Sequence, residues 1–539
     1  MPSGRHEGFR GISVPPTDEE KWVKQQHAAQ ESNSLTYSSC RPEGASSPQS
    51  SSQRVIVLVW DGMRPDLISA ALTPNLHAFA ARSAVYRRAT GVFPSVTRPT
   101  TSSVSTGAYP AGHGVLSNLF VGPPGDRTPI DTGARADLER LRAVNDGRIL
   151  LLPTLAEALA DAGKRLVVMG SGTTGQATLL DPERTATTIH TEFTSPAPLM
   201  ATLSERFGMP PTKTIPVQAA HEWLTDVLLE YVLPDLAPDV VLMWLCEPDA
   251  SQHARGLGSP EARAATRGND TRLGRILAAV AAGDVPTTVI VASDHGHSTV
   301  TGMVRAEHAL ADAGFAGPLN NGTMHLSERM ILIEDGPGAA TLRDDVGTWL
   351  REQPWVGAFV DWSQRDAADG TLTPAFIWNG RDPSSLPYAP AFTYSHAWDN
   401  TSNAHGISGS ALTGYSAGLA DLERLQGPVV GLTRLTSTHG TLSPRDQRTV
   451  LIIGGNDARP GTLDLPAGVI DIAPTILALF GLPPLPNADG RALAEAFVTG
   501  PRPASVAVRS EVPLSVPSGT VQRHWVGTTA YLETTFGSW

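Results

Sequence analysis

The 539-residue sequence has very few cysteines and no long apolar segment. Its two cysteines, Cys40 and Cys246, stand far apart in the chain, which excludes a disulfide-stapled scaffold. No apolar run reaches the roughly 18 residues that a membrane-spanning helix needs. The N-terminal residues also lack the apolar segment of a secretory signal. These absences predict a cytoplasmic protein that does not span a membrane.

The sequence also lacks an excess of positive charge. Lysine and arginine total 41 against 53 aspartates and glutamates, which gives a formal net charge of −12. A chain with this balance has no basic field for a nucleic-acid polymer, so we expect none to bind. A small anionic substrate is still compatible with this balance, provided that bound metal ions reverse the local sign of the charge.

Short apolar runs alternate with helical segments along most of the chain. This alternation predicts an α/β fold, in which a mostly parallel central sheet is covered by helices on both faces. Residues 1–53 are polar and predict a disordered N-terminal arm. The catalytic core is predicted in two parts, residues 54–302 and 431–500. Residues 303–430 between them predict an inserted smaller subdomain that caps the site, and residues 501–539 a C-terminal tail.

Three of the predicted strands end in side chains that bind metals. These side chains are Asp61 after the first strand, Asp249 and His253 after VVLMWL, and Asp294 and His295 after TTVIVAS. A further histidine, His439, stands just before the strand RTVLIIGG. Carboxylate oxygens together with imidazole nitrogens suit Zn²⁺ and related divalent ions. Because parallel strands end at one edge of a sheet, we expect these residues to meet there.

The spacing of these residues suggests how they share the metal ions. Asp249 and His253 are four residues apart and would lie on one face of a helical turn. Asp294 and His295 would point to opposite sides of an extended segment, so that each could serve a different one of two metals.

A threonine lies in the right place to meet the metal site. Thr97, in FPSVTRPT, stands just before a predicted helix start at Pro99. The unpaired N–H groups and the dipole of a helix N-terminus favour an anion. A hydroxyl there, brought together with the carboxylate of Asp61, indicates a metal-held phosphate.

Taken together, the motifs resemble those of the alkaline phosphatase superfamily. They are WDGMRPD, FPSVTRPT, the run from GAYP through HG to Asn118, EPDASQH, SDHG, and THG followed by DIAPT. They are most similar to the nucleotide pyrophosphatase/phosphodiesterase branch, also called type I phosphodiesterases. The resemblance covers residues 54 to about 300 and 435 to 495. It implies an alkaline phosphatase-like fold and a two-zinc hydrolase that acts on phosphodiester or pyrophosphate bonds of a small phosphate ester.

The resemblance also implies a role for each site residue. One zinc ion would be bound by Asp61, Thr97, Asp294 and His295, and the other by Asp249, His253 and His439. This assignment argues against dividing Asp294 and His295 between the two ions. Thr97 would attack phosphorus in line and form a phosphothreonine intermediate, while Asn118 would hydrogen-bond a phosphoryl oxygen. Two metal ions roughly 3.5–4 Å apart stabilise both the attacking and the leaving oxygen of such a displacement.

Arg98 departs from the pattern of this branch. Nucleotide-hydrolysing relatives have an aromatic residue after the nucleophile, where it stacks on a base. An arginine can stack as well, or pair with a substrate anion, so we predict that Arg98 binds substrate. The segment GSGTTGQATLLD lacks the lysine and arginine that monoesterase relatives carry, which favours a diester over a monoester. Hydrolysis of phosphomonoesters or phosphonates on the same site is the alternative.

Two further motifs indicate other chemistries. GYSAG (414–418) matches a serine-hydrolase elbow at Ser416, with Asp421 and His439 following in the expected order. The preceding SGSALT reads as a weak strand, so we predict a flexible loop and rank a serine hydrolase low. GSGTTG (170–175) resembles a dinucleotide-binding turn, but Pro182 would end its helix early, which predicts a turn without a cofactor. A metal-stabilised, non-catalytic binding protein is the last alternative, and no feature of the sequence indicates an oligomeric state.

Overall fold

A computed structural model describes residues 53–537 of the chain, apart from residues 382, 415–434 and 456. The predicted N-terminal arm, except its last residue, lies outside the described residues. So do Cys40 and the two residues of the serine-hydrolase alternative, Ser416 and Asp421. Within the described residues, no helix combines the length and the apolar character needed to cross a membrane.

The strands of the described residues are numbered in chain order. They are β1 (Arg54–Trp60), β2 (Ala84–Thr90), β3 (Leu119–Phe120), β4 (Ile130–Asp131), β5 (Leu166–Gly170), β6 (Thr187–His190), β7 (Thr194–Ser195), β8 (Val240–Leu245), β9 (Thr287–Ala292), β10 (Ser298–Met303), β11 (Met324–Ser327), β12 (Met330–Ile333), β13 (Val356–Asp361), β14 (Phe392–His396), β15 (Trp398–Ser402), β16 (Ser408–Thr413), β17 (Ser437–Thr438), β18 (Leu451–Gly454), β19 (Gly461–Gly468), β20 (Val508–Ser510), β21 (Leu514–Val516), β22 (Gly519–Val526) and β23 (Thr529–Phe536).

The helices are numbered in the same way. They are α1 (Pro74–Ala80), α2 (Thr97–Thr106), α3 (Pro110–His113), α4 (Arg135–Val144), α5 (Leu155–Asp161), α6 (Thr174–Leu180), α7 (Leu199–Phe207), α8 (Gln218–Val227), α9 (Asp249–Arg255), α10 (Pro260–Ala282), α11 (Ala306–Leu310), α12 (Ala316–Asn320), α13 (Ala339–Arg351), α14 (Pro374–Ile377), α15 (Pro444–Gln447) and α16 (Ile472–Leu479). Short 3₁₀ turns lie at Pro65–Leu67, Val469–Asp471, Ala494–Ala496 and Pro503–Ser505, and π-helical turns at Leu228–Leu236 and Ala311–Phe315.

A nine-stranded sheet forms the centre of the fold. Its strand order is β19-β2-β18-β9-β1-β8-β5-β6-β7. The pairs within β9-β1-β8-β5-β6 are all parallel, as is β19 with β2. The strands β18 and β7 run antiparallel to their neighbours. The predicted mostly parallel α/β sheet is therefore confirmed.

Helices cover both faces of this sheet, as β1 demonstrates. Alternate residues of a strand point to opposite faces. Val55, Val57 and Val59 belong to one hydrophobic core, which includes side chains of α2, α4, α5, α6 and α16. Ile56, Leu58 and Trp60 belong to a second core, which includes side chains of α1, α8 and α10. Because both faces are buried, β1 reads as a continuous apolar run.

Residues 303–430, the predicted insertion, contain a small sheet with a hydrophobic core of its own. The strands pair in the order β11-β12-β14-β13. A separate core, drawn from residues 306–394, is covered by α11 and α13. A second small sheet, β15-β16-β10-β17, joins this region to the strand ends of the central sheet. These sheets form the predicted smaller subdomain, and the domain boundaries themselves stay a prediction.

The residues predicted as a C-terminal tail form β20 to β23, a further antiparallel sheet. Val521 and Tyr531 of this sheet belong to the first core of the central sheet. The hydroxyl of Tyr531 donates to the buried carboxylate of Asp471, at 2.9 Å from Oδ2. This segment is therefore packed against the central sheet.

Two local expectations differ from the structure. The helix after FPSV begins at Thr97 and not at Pro99, so that Thr97 lies in its first turn. SGSALT, which reads as a weak strand, is β16, because it is hydrogen-bonded between β10 and β15. The helix after GSGTTG ends at Leu180, before Pro182, as the sequence predicts.

Candidate metal centre

Three neighbouring strands bring the predicted metal ligands to one edge of the sheet. The strands β9, β1 and β8 are adjacent and parallel, so their carboxyl ends coincide. Asp61 follows β1, Asp249 opens α9 after β8, and Asp294 follows β9. The loops are bonded to each other, since the Asp61 N–H donates to Leu245 O and the Asp249 N–H donates to Asp61 O.

A first group of ligands consists of Asp61, Asp294 and His295, whose donor atoms all lie within 4.8 Å of one another. His295 Nε2 is 3.4 Å from Asp61 Oδ1 and 3.1 Å from Asp294 Oδ2. The second oxygen of each of the two carboxylates accepts a hydrogen bond, which fixes the orientation of the side chain. Trp244 Nε1 donates to Asp61 Oδ2, and the N–H of Gly62 donates to Asp294 Oδ1.

A second group consists of Asp249, His295, His297 and His439. Asp249 Oδ1 is 2.6 Å from His297 Nε2 and 3.5 Å from His439 Nε2. His253 Nε2 lies 3.3 Å from the same oxygen, one helical turn along α9. The four imidazoles and three carboxylates of the two groups are all buried, so they form one continuous cluster.

Three histidines of the cluster have a defined tautomer. Their Nδ1 atoms each face a backbone carbonyl oxygen, which can only accept, so Nδ1 carries the proton. The acceptors of His253, His295 and His439 are Ser437 O at 2.8 Å, Gly296 O at 2.9 Å and Ser95 O at 2.7 Å, respectively. The Nε2 atom of each ring therefore faces the carboxylates, which is the arrangement of metal-binding histidines.

The net negative charge of the cluster also favours the binding of a cation. Asp61 Oδ1 and Asp294 Oδ2 are buried and accept no hydrogen bond from any described residue. Burial, together with Asp294 and Asp249, raises the pKa of Asp61 well above its usual range. Burial alone would lower the pKa of His295, but Asp294 and Asp61 outweigh it and raise this pKa to about 10. The negative charge thus exceeds what the side chains neutralise, and divalent cations would balance it.

The predicted nucleophile lies beside the cluster. Thr97 is in the first turn of α2, and its Oγ1 is 3.3 Å from His295 Nε2. Asn118 is buried close by, and its Oδ1 accepts a hydrogen bond from the Arg98 backbone N–H at 3.0 Å. That N–H is therefore occupied, whereas the Nδ2 amide of Asn118 can donate to a substrate.

The structure brings all the predicted site residues inside the described part of the chain to one place. An open cleft is lined by Asp61, Thr97, Arg98 and Asp249, among other residues. The remaining ligands lie close to these residues, at the distances given above. Ser416, the alternative nucleophile, lies outside the described residues.

Sequence reasoning missed His297, which stands two residues after His295 in SDHGHST. Its Nδ1 lies 3.1 Å from Ser437 Oγ, while Nε2 is bonded to Asp249. The sequence does hold one indication of this contact, the glycine at position 62, whose backbone has φ +70°. A Cβ on Gly62 would lie 2.9 Å from His297 Cδ2 and 3.0 Å from Asp249 Cβ. The glycine of WDG therefore makes room for this pair of side chains.

The family model described as type I phosphodiesterase / nucleotide pyrophosphatase matches residues 55–368, more than half of the chain. The chain belongs to this family. This membership confirms the branch that the motifs predict, and the family's description is that of a hydrolase. As a type I phosphodiesterase family member, the protein has its candidate metal ligands from Asp61 to His297 inside the matched region, whereas His439 lies beyond it.

Two curated relatives match parts of this family member. An uncharacterized pyrophosphatase/phosphodiesterase of Schizosaccharomyces pombe is 41% identical over 69 residues, which are 13% of this chain and 14% of the relative. Ectonucleotide pyrophosphatase/phosphodiesterase family member 7 of Homo sapiens is 25% identical over 262 residues, 48% of this chain and 51% of the relative. The chain thus spans about half of the human relative and a seventh of the yeast one.

Solved structures share the fold over most of their length. Murine ectonucleotide pyrophosphatase/phosphodiesterase 5 aligns with a TM-score of 0.54 at 14% identity, over 80% of this chain and 96% of that one. Phosphonoacetate hydrolase of Sinorhizobium meliloti aligns with a TM-score of 0.55 at 18% identity, over 80% and 95%. The predicted alkaline phosphatase-like fold is confirmed by these neighbours.

Proposed function

We propose that this family member hydrolyses phosphodiester or pyrophosphate bonds of small molecules at the buried cluster. The observation that carries the proposal is the placement of Thr97 Oγ1 beside three carboxylates and four imidazoles, 3.3 Å from His295 Nε2. The family's description and the name of the human relative support the same reaction class.

Two divalent cations, with Zn²⁺ favoured by the mixture of oxygen and nitrogen donors, would be held by the cluster. One set of ligands is Asp61, Thr97, Asp294 and His295. The other set is Asp249, His253 and His439, with His297 bonded to Asp249. Cations bound there would stabilise negative charge on the nucleophile, the phosphoryl oxygens and the leaving group.

Thr97 would act as the nucleophile. Its Oγ1 forms a bond to phosphorus as the bond to the leaving oxygen breaks, so that a phosphothreonine and a free alcohol or phosphate result. Water then cleaves the phosphothreonine and regenerates the hydroxyl. The Nδ2 amide of Asn118 would donate to a non-bridging oxygen, because its Oδ1 is occupied by the Arg98 N–H.

One neighbouring structure supports the role of the threonine. A threonine-to-alanine variant of murine ectonucleotide pyrophosphatase/phosphodiesterase 5 is described as inactive and holds AMP. A second candidate function is hydrolysis of a phosphonate on the same site. It is favoured by the fold of the phosphonoacetate hydrolase, which was solved in complex with phosphonoformate.

The nucleophile can be tested with Thr97→Ala. Without its hydroxyl, the variant is expected to lose turnover of bis-p-nitrophenyl phosphate by about a thousandfold or more. Because the carboxylates and imidazoles remain, it should keep most of its bound zinc, measured by elemental analysis. Thr97→Ser keeps a hydroxyl and should retain part of the activity.

The exposed Thr271 on α10 provides the control, since Thr271→Ala should leave both turnover and zinc content unchanged. Full activity of Thr97→Ala would refute the proposed mechanism. The proposal also predicts a higher kcat/KM for bis-p-nitrophenyl phosphate than for p-nitrophenyl phosphate. A strong preference for the monoester would shift the assignment to a phosphomonoesterase.

A further inference from the structure

The cleft that contains Thr97 is also lined by polar residues that are not metal ligands. Among them are Arg98, Gln176 on α6 and Lys213. These three side chains are polar, and each is at least nine-tenths buried. A polar and buried wall of this kind requires partners for its donors.

Two nitrogens of the buried Arg98 guanidinium lack such partners. Its side chain is 3% exposed, and neither Nε nor Nη2 makes a hydrogen bond to any described residue. Since leaving buried N–H groups of a guanidinium unpaired is costly, a position of this kind is stabilised when an anion binds to it. Arg98 follows the nucleophile directly in the chain, so the anion it binds would belong to the substrate.

Gln176 shows the same lack of partners. It is 1% exposed, and both its Oε1 and its Nε2 are without a hydrogen-bond partner among the described residues. The chain leaves space for this side chain at Gly172, where a Cβ would lie 2.9 Å from Gln176 Oε1. The Nε2 amide can donate to an oxyanion that Arg98 binds from another side.

Lys213 adds a second cation to the cleft. Its ammonium donates to the carbonyl oxygen of Gly172 and lies 3.0 Å from the carboxylate of Glu192. An ammonium has three donors, so one N–H remains after these two contacts. Because Glu192 offsets the charge of Lys213, the positive charge on this side of the cleft comes from Arg98.

From these contacts we propose that Arg98, Gln176 and Lys213 form a subsite for a second oxyanion of the substrate. The scissile phosphoryl group would lie at Thr97, and a carboxylate or phosphate carried on a short group attached to it would lie in the subsite. The inference rests on the proposed function, because it names the class of phosphate ester that the same site takes. A nucleobase stacked on Arg98 would place an apolar ring face against the unpaired N–H groups of Arg98 and Gln176. Those groups would then still lack hydrogen-bond partners.

The experiment compares esters that share one leaving group, p-nitrophenolate. The reference is methyl p-nitrophenyl phosphate, which has no second anion. The carboxylate and the phosphate are tested with the 2-carboxyethyl and the 2-phosphoethyl esters, and a nucleobase with thymidine 5′-p-nitrophenyl phosphate. Wild-type enzyme is expected to show a kcat/KM at least about tenfold higher for one or both anionic esters than for the methyl ester, as charge-assisted hydrogen bonds provide.

Two variants separate the subsite from the reaction centre. Arg98→Met removes the charge, and Gln176→Glu places a carboxylate in nearly the same volume. Each should reduce the ratio of kcat/KM between the anionic and the methyl ester about tenfold or more, and Gln176→Glu should reduce it furthest through like-charge repulsion. Arg87→Met is the control, because Arg87 is exposed and pairs with Asp464, so the ratio should not change.

The outcomes are distinguishable. If no ester is cleaved, the proposed function fails. If the methyl ester is cleaved at the same rate as the anionic esters, or if Arg98→Met and Gln176→Glu both keep the wild-type ratio while melting normally, the subsite is refuted and the reaction stands. A preference for the thymidine ester that Arg98→Met abolishes would show that the arginine reads a base, which also overturns the proposal.

Discussion

His297 makes the shortest of the histidine contacts to Asp249, since its Nε2 lies 2.6 Å from Asp249 Oδ1. Burial lowers the pKa of His297 to about 4, so the ring is neutral at neutral pH. A neutral ring bonded to a ligating carboxylate fixes the orientation of that carboxylate. Such partners typically change metal affinity by about 10–100-fold when they are removed.

We therefore expect His297→Ala to weaken Zn²⁺ binding by about 10–100-fold, measured by competition with a chromophoric chelator. The matched control is His77→Ala, because His77 is exposed on α1 and should leave the affinity unchanged. Wild-type affinity in His297→Ala would show that Asp249 is oriented by His253 and His439 alone.

Sequence reasoning could find Asp61, Asp249 and Asp294 because each follows a buried strand, and parallel strands end at one edge. It could not find His297 in the same way. The contact of this ring with Asp249 joins residues 48 positions apart, beside Gly62, and so depends on how distant parts of the chain pack. The unpartnered state of Arg98 and Gln176 is equally invisible in the sequence, since it is a property of packing.

At the scale of elements, α2 carries the proposed nucleophile, and seven of its ten residues are buried serine or threonine. Three of these hydroxyls are satisfied within the helix, since Thr101 donates to Thr97 O, Ser102 to Arg98 O and Thr106 to Ser102 O. Ser103 Oγ is bonded to His113 Nε2, while Thr100 Oγ1 and Ser105 Oγ have no hydrogen-bond partner among the described residues. Hydrogen bonds of this kind pair only part of the buried hydroxyls, and bonds back to the preceding turn slightly destabilise a helix. The position of Thr97 therefore depends on how this helix is held at its other end.

The C-terminal end of α2 is formed by Gly107, which has φ +67° and lies against Pro474 of α16. A Cβ there would lie 3.1 Å from Pro474 and 3.3 Å from Ala488. Gly163, after α5, has the same φ of +67° but has no atom within 4 Å of its Cβ position. Gly163→Ala should thus lower the free energy of unfolding by about 1 kcal/mol through backbone strain alone.

Gly107→Ala should lower the free energy of unfolding by at least about 1 kcal/mol more than Gly163→Ala, because steric overlap adds to the strain. Denaturant unfolding of the two variants beside the wild-type protein measures the difference. Equal losses in the two variants would mean that α16 yields to the extra methyl group and does not hold the end of α2.

The strand β16 shows where element prediction fails. SGSALT has weak strand propensity, but it is extended because β10 and β15 bond to it from both sides. Strand propensity is overridden by such neighbours more readily than helix propensity. By contrast, α5 could be read from the sequence, since Thr154 and Glu157 form a capping box before its apolar face.

At the scale of the whole molecule, the C-terminal strands join the catalytic core through contacts that are far apart in the chain. Glu533 of β23 pairs with Arg88 of β2 and with Arg448 before β18. Tyr531 bonds to Asp471 in the same core. Pairings over such separations leave no local signal, which is why the sequence indicates only a tail after residue 500.

The metal cluster also links distant parts of the chain, from Asp61 to His439, so its occupancy should affect the stability of the whole molecule. Zinc that binds the folded state at about 100 times its Kd stabilises it by about 2.7 kcal/mol. A chelator should therefore lower the Tm by about 2–5 °C for a chain of this size. Differential scanning fluorimetry with and without added Zn²⁺ measures the shift.

Asp294→Asn makes this prediction specific to the cluster. The Oδ1 atom of Asp294 accepts from the N–H groups of Gly62 and His295, and asparagine keeps this acceptor. Its Oδ2 loses its charge, and with it the ionic contact of 3.1 Å with His295 Nε2. With chelator present, this lost pair and the relieved repulsion with Asp61 act in opposite directions, so the Tm of the variant should lie close to that of the wild-type protein. With zinc present, the variant should be clearly the less stable of the two, because a ligand is missing. If the difference in Tm between the two proteins is the same under both conditions, the carboxylates of this cluster do not serve to hold a cation.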